Sequence, residues 1–322
     1  FRPLFGQPAQ SRTLRSQFWQ AATQAGDPDA WMLRFLRARG WRVDAALGML
    51  LRALRWRAAQ AIDELVFYGE SRLHFRMMHS GLAFACTRDR LGLPVYVVRV
   101  RANVARGHSV RAVKRFLCWQ METAQLLAAG RADGRITLVF DMSAFTRENI
   151  DLQLVRTLIT LLANYYPETL GILLLHVNSL LFSGLWALIA PFIDPAVKSK
   201  IVMTRTAADL APFIDSAQLV AELGGPKRFV YDYALPTPDE NACMADAPAR
   251  AAAERAFADA VHAYEAHTSA WAAADALQPD GPGRAAARDR LRAAGRALDP
   301  YVRARTLYHR AGVVAPDHSV AL

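Results

Sequence analysis

Cysteine is scarce in this chain. Cys86, Cys118 and Cys243 are the three among 322 residues, far apart and odd in number. That excludes a disulfide framework, offers no metal-ligand spacing, and points to a reducing, intracellular setting. Long apolar runs are missing too. The most apolar window, Leu180–Ile193, is 14 residues long, whereas a helix crossing a bilayer needs about 20. The start carries Arg2, Arg12 and Arg15 without an apolar run, so no secretory signal is expected. No GxGxxG after a strand, Walker pattern, GxSxG elbow, HExxH or CxxC occurs. The usual signatures of nucleotide, hydrolase and zinc chemistry are therefore absent.

Acid is also short relative to base: 29 Asp and Glu against 39 Lys and Arg give a net charge of +10, while 53% of the residues are apolar. So much apolar content excludes a largely disordered chain. A basic, apolar-rich protein leaves nucleic acid or an anionic membrane surface as broad partner classes. Arg34, Arg37, Arg39 and Arg42 around Trp41 imitate a nucleic-acid patch. On a helix, however, they read as a solvated polar face, with Trp31, Leu33, Phe35 and Leu36 packed inward. No reading motif accompanies them, so no nucleic-acid partner is expected.

Three regions follow from the hydrophobic period. Residues 1–80 read as a helical subdomain: Ser11–Ala25, a helix started by Asp27-Pro28 and stopped by Gly40, and another over Val43–Ala59. Residues 81–235 alternate short apolar strands (Val95–Val100, Ile136–Phe140, Ile172–Val177, Lys200–Met203) with helical stretches (Val110–Ala129, Asn149–Tyr165, Leu180–Ile193). This predicts an α/β domain with a mixed, mostly parallel sheet covered by helices. Residues 236–322 open on Pro236-Thr237-Pro238. They continue as Ala/Arg-rich helices over Ala247–Leu277 and Arg284–Leu298, with Pro300 predicted to break the second from Val302–Arg310.

The segment from Asn164 to Ile201 is the most informative. Leu180–Ile193 is apolar almost all round, so it belongs in a core or against an apolar ligand. Glu168 and Lys200 bracket it at two strand starts. An apolar wall with a few convergent charges suits an amphiphile pocket. Periodicity alone leaves an ordinary core helix equally open.

Ordered motifs weigh between the two. Leu33-Arg34-Phe35-Leu36-Arg37-Ala38-Arg39-Gly40-Trp41-Arg42-Val43 comes first, then Gly92-Leu93-Pro94-Val95-Tyr96 and Val139-Phe140-Asp141-Met142. Tyr165-Tyr166-Pro167-Glu168, Phe192-Ile193-Asp194-Pro195 and Leu223-Gly224-Gly225 follow. Over about Asp27–Val230 the chain resembles the CRAL-TRIO family of Sec-fourteen-type lipid-binding and lipid-transfer proteins. The tail, with Asn241, Asp246, Arg250 and Thr268-x-x-Trp271, is similar to fungal members that carry a C-terminal helical extension. The resemblance implies a sheet flooring an apolar lipid cavity, closed by a gate helix at Leu180–Ile193. Cavity and gate residues would be Tyr96, Ile136, Leu138, Leu180, Phe182, Leu185, Trp186, Ile189 and Phe192. It also implies a phosphatidylinositol headgroup site at Arg39, Glu168 and Lys200. There the two cations would pair with phosphate, and the carboxylate would accept bonds from inositol hydroxyls.

Departures from the family pattern shape the expectation. Gly40 stands where several transfer proteins have a basic residue, and Val197 stands in place of a threonine of the inositol site. Ile136, Leu138 and Ala85 occupy positions where phosphatidylcholine binders place polar groups, though Tyr96 remains. The ligands expected are phosphatidylinositol and a second apolar lipid such as a sterol precursor. The alternative is a carrier of a single sterol-like or isoprenoid molecule. The resemblance further implies a non-enzymatic, monomeric, cytoplasmic protein without a cofactor other than bound phospholipid. It would touch anionic endoplasmic reticulum, Golgi or endosomal membranes transiently. A hydrolase using His176 with Glu168 or Asp141, or a scaffold signalling through the tail, are the competing classes.

Overall fold

The computed structural model describes residues 13–24, 26–103, 108–129, 133–177, 182, 186–187, 190–193, 195–274 and 280–322. Ahead of the short helices α4 (Ile62–Tyr68) and α5 (Phe75–His79), helices α1 (Leu14–Gln24), α2 (Pro28–Ala38) and α3 (Val43–Ala59) form the N-terminal subdomain. They close on a core that includes Trp31, Phe35, Ala46, Met49 and Leu54. Asp27 caps α2 by accepting from the Ala30 amide at 3.0 Å. Gly40, at φ +58°, ends α2 in a Schellman turn: Gly40 N donates to Arg37 O at 3.1 Å and Trp41 N to Leu36 O at 2.8 Å.

Five strands form one sheet in the order β1 (Ala83–Arg88), β2 (Pro94–Arg99), β3 (Ile136–Asp141), β4 (Leu170–His176) and β5 (Ile201–Thr204). The β1–β2 pair is antiparallel and the others are parallel, so the sheet is mixed and mostly parallel. Strand β1 is absent from the sequence-predicted set because Ala83 and Ala85 dilute its β-propensity. Pairing to β2 and burial of Phe84, Ala85 and Cys86 make it a strand.

Side chains alternate across this sheet. Tyr96 lies opposite Leu138, Leu138 opposite Leu173, and Leu173 opposite Ile201. This row shares its hydrophobic cluster with α6 (Val110–Ala128) and α7 (Leu152–Asn164). Val95, Val97, Val139 and Leu174 point the other way, onto Leu210, Ile214, Leu219 and Leu223. Within the predicted helix Leu180–Ile193, Phe182, Trp186 and Ala187 are helical and Ala190–Phe192 forms a 3-10 turn. The rest of that helix lies outside the described residues.

The C-terminal helices α8 (Ala247–Ala273) and α9 (Pro282–Val302) are docked, not trailing. Val261, Tyr264, Ala287 and Leu291 share a cluster with Trp19 of α1. A Cβ at Gly295 would lie 2.1 Å from Thr23 Cγ2, so α9 crosses α1 where a larger residue would clash. Arg284 donates to Asp29 Oδ1 at 2.7 Å, tying α9 to the start of α2. Pro300 does not break α9, contrary to the expectation from sequence. It falls in the last turn, where it forfeits a single N–H bond, and Arg303 N donates to Asp299 O at 2.8 Å to close the end.

Candidate functional site

The sheet row of Tyr96, Leu138, Leu173 and Ile201 floors an apolar cavity of about 170 Å³. Helix α6 contributes Phe116 and Met121 to its wall, and α7 contributes Leu158 and Leu162. These helices reach the sheet because their apolar stripes recur at the helical period, and Asp151 caps α7 by accepting from Gln153 N at 2.9 Å and Leu154 N at 3.0 Å. Phe182 and Trp186, stacked with ring centroids 5.9 Å apart, form another part of the wall together with Ile193 and Val197.

Of the sequence-predicted cavity residues, the structure places Tyr96, Ile136, Leu138, Phe182 and Trp186 on the lining. Leu180, Leu185 and Ile189 lie outside the described residues, as does the side chain of Phe192. The Tyr96 hydroxyl is held neutral: burial first, then the neighbouring Tyr308, raise its pKa well above the phenol value. It is the polar group on an otherwise apolar floor row.

Two opposite charges stand beside the lining residue Ile201. Glu168 follows Pro167 in the turn into β4 and holds a left-handed backbone, φ +53°, a conformation that costs a non-glycine residue energy and concentrates at functional positions. Lys200 precedes β5, next to the lining residue Ile201. Lys200 Nζ lies 3.1 Å from Glu168 Oε2 and donates to the Leu170 carbonyl at 3.0 Å. Both side chains remain partly open to solvent, at 26% and 30% exposure. An incoming anion can therefore compete for the ammonium. Arg39 caps α2 and donates to the Ala38 carbonyl at 2.9 Å. Neither an ion pair nor a hydrogen bond joins it to Glu168 among the described residues, so the structure pairs two of the three predicted headgroup residues.

Sequence reasoning missed the contact that anchors the segment leading to Glu168. Arg57 of α3 forms two parallel bonds with Glu122 of α6, at 2.7 and 3.0 Å, and Tyr166 OH donates to the same carboxylate at 2.7 Å. All three side chains are buried. Tyr165 stacks on Trp56 at 4.2 Å. The Tyr-Tyr-Pro-Glu motif is thus the seam between the helical subdomain and the sheet domain, and its last residue is Glu168. Burial would raise the Glu122 carboxyl, but the charge and hydrogen bonds of Arg57, with Tyr166, outweigh it and hold the pKa below the usual value. The available signal was an arginine facing inward on an amphipathic helix.

The groups of the competing hydrolase reading are otherwise engaged. His176 Nδ1 lies 3.2 Å from Thr204 Oγ1, Asp141 accepts from Arg101 and from Ser143 N, and Glu168 is paired with Lys200. Burial lowers the His176 pKa, although Asp141 opposes it. No group of three or more metal-ligating side chains is found among the described residues. A larger hollow of about 690 Å³ lies between α1, α8 and α9, but Gln17, Gln24, Arg292, Arg303 and Asp299 line it. Such a wall leaves polar groups against an acyl chain, so the apolar cavity is the candidate site.

Known proteins resemble the chain over most of its length. Residues 78–225 match the CRAL/TRIO domain and residues 7–52 the CRAL/TRIO N-terminal domain. A CRAL-TRIO domain-containing protein of Schizosaccharomyces pombe is 34% identical over 96% of this chain and 70% of its own length. The phosphatidylinositol transfer protein CSR1 of Eremothecium gossypii is 31% identical over 91% of this chain and 69% of its own. The crystal structure of Sfh5 superposes with a TM-score of 0.51 at 16% identity, covering 62% of this chain and 74% of that one, and shares the fold. No described helix is long and apolar enough to cross a membrane.

Proposed function

The chain belongs to the CRAL-TRIO family of lipid-binding proteins, and on that premise we propose that it extracts phosphatidylinositol from membranes and carries it between them without covalent chemistry. The observation that carries this reading is the Glu168–Lys200 pair next to Ile201, which lines the apolar cavity. Acyl chains would lie over the Tyr96–Leu138–Leu173 row, each buried methylene gaining about 0.8 kcal/mol. The phosphate would take the ammonium of Lys200, with Arg39 brought to it on binding, and Glu168 would accept from inositol hydroxyls. Similarity to a protein named for phosphatidylinositol transfer supports this choice of headgroup.

The cavity of about 170 Å³ is below the roughly 300–1,000 Å³ of typical ligand sites. Lipid entry must therefore displace part of the wall. The segment carrying Phe182 and Trp186 is the proposed gate, since the sheet and the α6 and α7 packing are fixed by the core. An apolar floor with Tyr96 as its polar group favours a second ligand of sterol or isoprenoid type, and on this reading the protein is a monomer that visits anionic membranes. Mass spectrometry of lipid co-purifying with the protein tests both. Phosphatidylinositol supports the first reading, a phosphorus-free lipid alone supports the second, and no lipid in any preparation contradicts both.

A further inference from the structure

Trp41 is held in a left-handed backbone conformation, φ +63°, as the third residue after α2, closing the Schellman turn. A glycine takes that conformation without steric cost, and a tryptophan does not. Burial does not offset the strain, because Trp41 is 60% exposed. Val43 and Leu47, one turn apart on the following helix, are 68% and 51% exposed. They lie on one helical face beside Trp41. Arg37 and Arg42 are exposed beside this turn and Arg39 partly so, Arg52 and Arg55 are exposed farther along the same helix, and Asp44 is the acidic residue of that stretch.

We propose that Trp41, Val43 and Leu47, with the arginines around them, are the face by which this protein docks on an anionic membrane. The inference rests on the lipid-exchange reading, which requires a visit to a bilayer, and adds the surface that makes it. Two features favour a membrane over a nucleic acid. Exposed Val and Leu gain nothing from phosphates or base edges but lose water when they enter an acyl layer. Tryptophan settles at the headgroup level, its ring partly apolar and its N–H still able to hydrogen-bond. Five arginines against one aspartate match the negative potential of an anionic leaflet, and each basic residue near the surface adds about 1 kcal/mol, or roughly fivefold in binding. Arg39, proposed to join the headgroup site when lipid binds, belongs to this stretch as well.

The test is sedimentation of the full chain with phosphatidylcholine vesicles, with and without phosphatidylserine. Trp41→Gly removes the ring while suiting the backbone, so its melting temperature should equal or exceed wild type. Its binding to phosphatidylserine vesicles should fall about tenfold or more, and Trp41→Phe should retain most of it. Arg52→Gln and Arg55→Gln should each lose about fivefold, with the difference shrinking at high salt. Lys200→Ala should bind vesicles normally while losing transfer, which separates failure of docking from failure of the headgroup reading. Equal binding by Trp41→Gly and wild type would overturn the proposal. So would indifference to phosphatidylserine, or a Trp41-dependent affinity for single-stranded DNA exceeding that for vesicles.

Discussion

Lys200 and Glu168 meet at 3.1 Å across the starts of two adjacent parallel strands, and the Leu170 carbonyl takes a second bond from the same ammonium. Their separation in sequence is bridged by β4 and the apolar segment that borders the cavity. Lys200 thereby stands beside Ile201, a residue of the apolar cavity lining. On the proposed reading the pair would exchange its mutual contact for a ligand, so its worth would lie in binding more than in stability. A partly exposed ion pair contributes about 0–1 kcal/mol to folding.

The seam between subdomains depends on a buried pair. Arg57→Met should destabilise the protein by about 3–5 kcal/mol, because it strands the Glu122 carboxylate in the core. The double variant Arg57→Met/Glu122→Leu should recover much of that loss. Because the folded-state pKa of Glu122 is lowered from 4.5, the pair's contribution is complete above that value and is lost as pH falls through the folded pKa. Urea denaturation of wild type and double variant across acidic pH checks both points.

A second pH dependence comes from the tail. Burial foremost, then the nearby Arg303, lower the His309 pKa from 6.5 to about 4. Protonation is thus cheaper in the unfolded chain. Stability should be fully present above pH 6.5 and decline toward pH 4, by roughly 3 kcal/mol from this group. His309→Gln should flatten that part of the profile.

Attachment of the tail converges on Glu70. Its carboxylate accepts from Leu307 N at 2.7 Å, from Tyr233 OH at 2.8 Å and from Arg310. Glu70→Ala leaves Leu307 N and the Tyr233 hydroxyl without an acceptor, while Arg310 keeps Glu240 at 3.1 Å, and should cost about 1–3 kcal/mol for each stranded donor. Limited proteolysis should then cut within residues 303–322 of the variant before it cuts wild type.

Cavity occupancy can be probed from α6. Ala124 lines the cavity and is buried, so Ala124→Phe should place a ring where acyl chains are proposed to lie. The expected result is loss of co-purifying lipid at a stability cost within the ~1–3 kcal/mol of overpacking.

Much of this architecture was legible in the sequence, for identifiable reasons. Strands β2 to β4 are continuous β-branched or leucine-rich runs largely buried on both faces, β5 is a shorter run with Met203 exposed, and α2 carries its start and stop signals in Asp27, Pro28 and Gly40. Strand β1 was hidden because its alanines carry little β-propensity and the hairpin partner supplies the stability. Pro300 misled because proline is costly within a helix but tolerable in its last turn. At the site, Glu168 and Lys200 were identified by motif, but their contact is a tertiary fact. The Arg57–Glu122–Tyr166 network was invisible because burial of a charged residue depends on a partner 65 positions away.

The most direct test of the account is transfer of labelled phosphatidylinositol between vesicles by wild type, Glu168→Ala and Lys200→Ala. The account predicts transfer by wild type and about a tenfold or greater loss in each variant, consistent with the roughly 1.5–3 kcal/mol of a charged hydrogen bond. No transfer by wild type, or undiminished transfer by both variants, would contradict it.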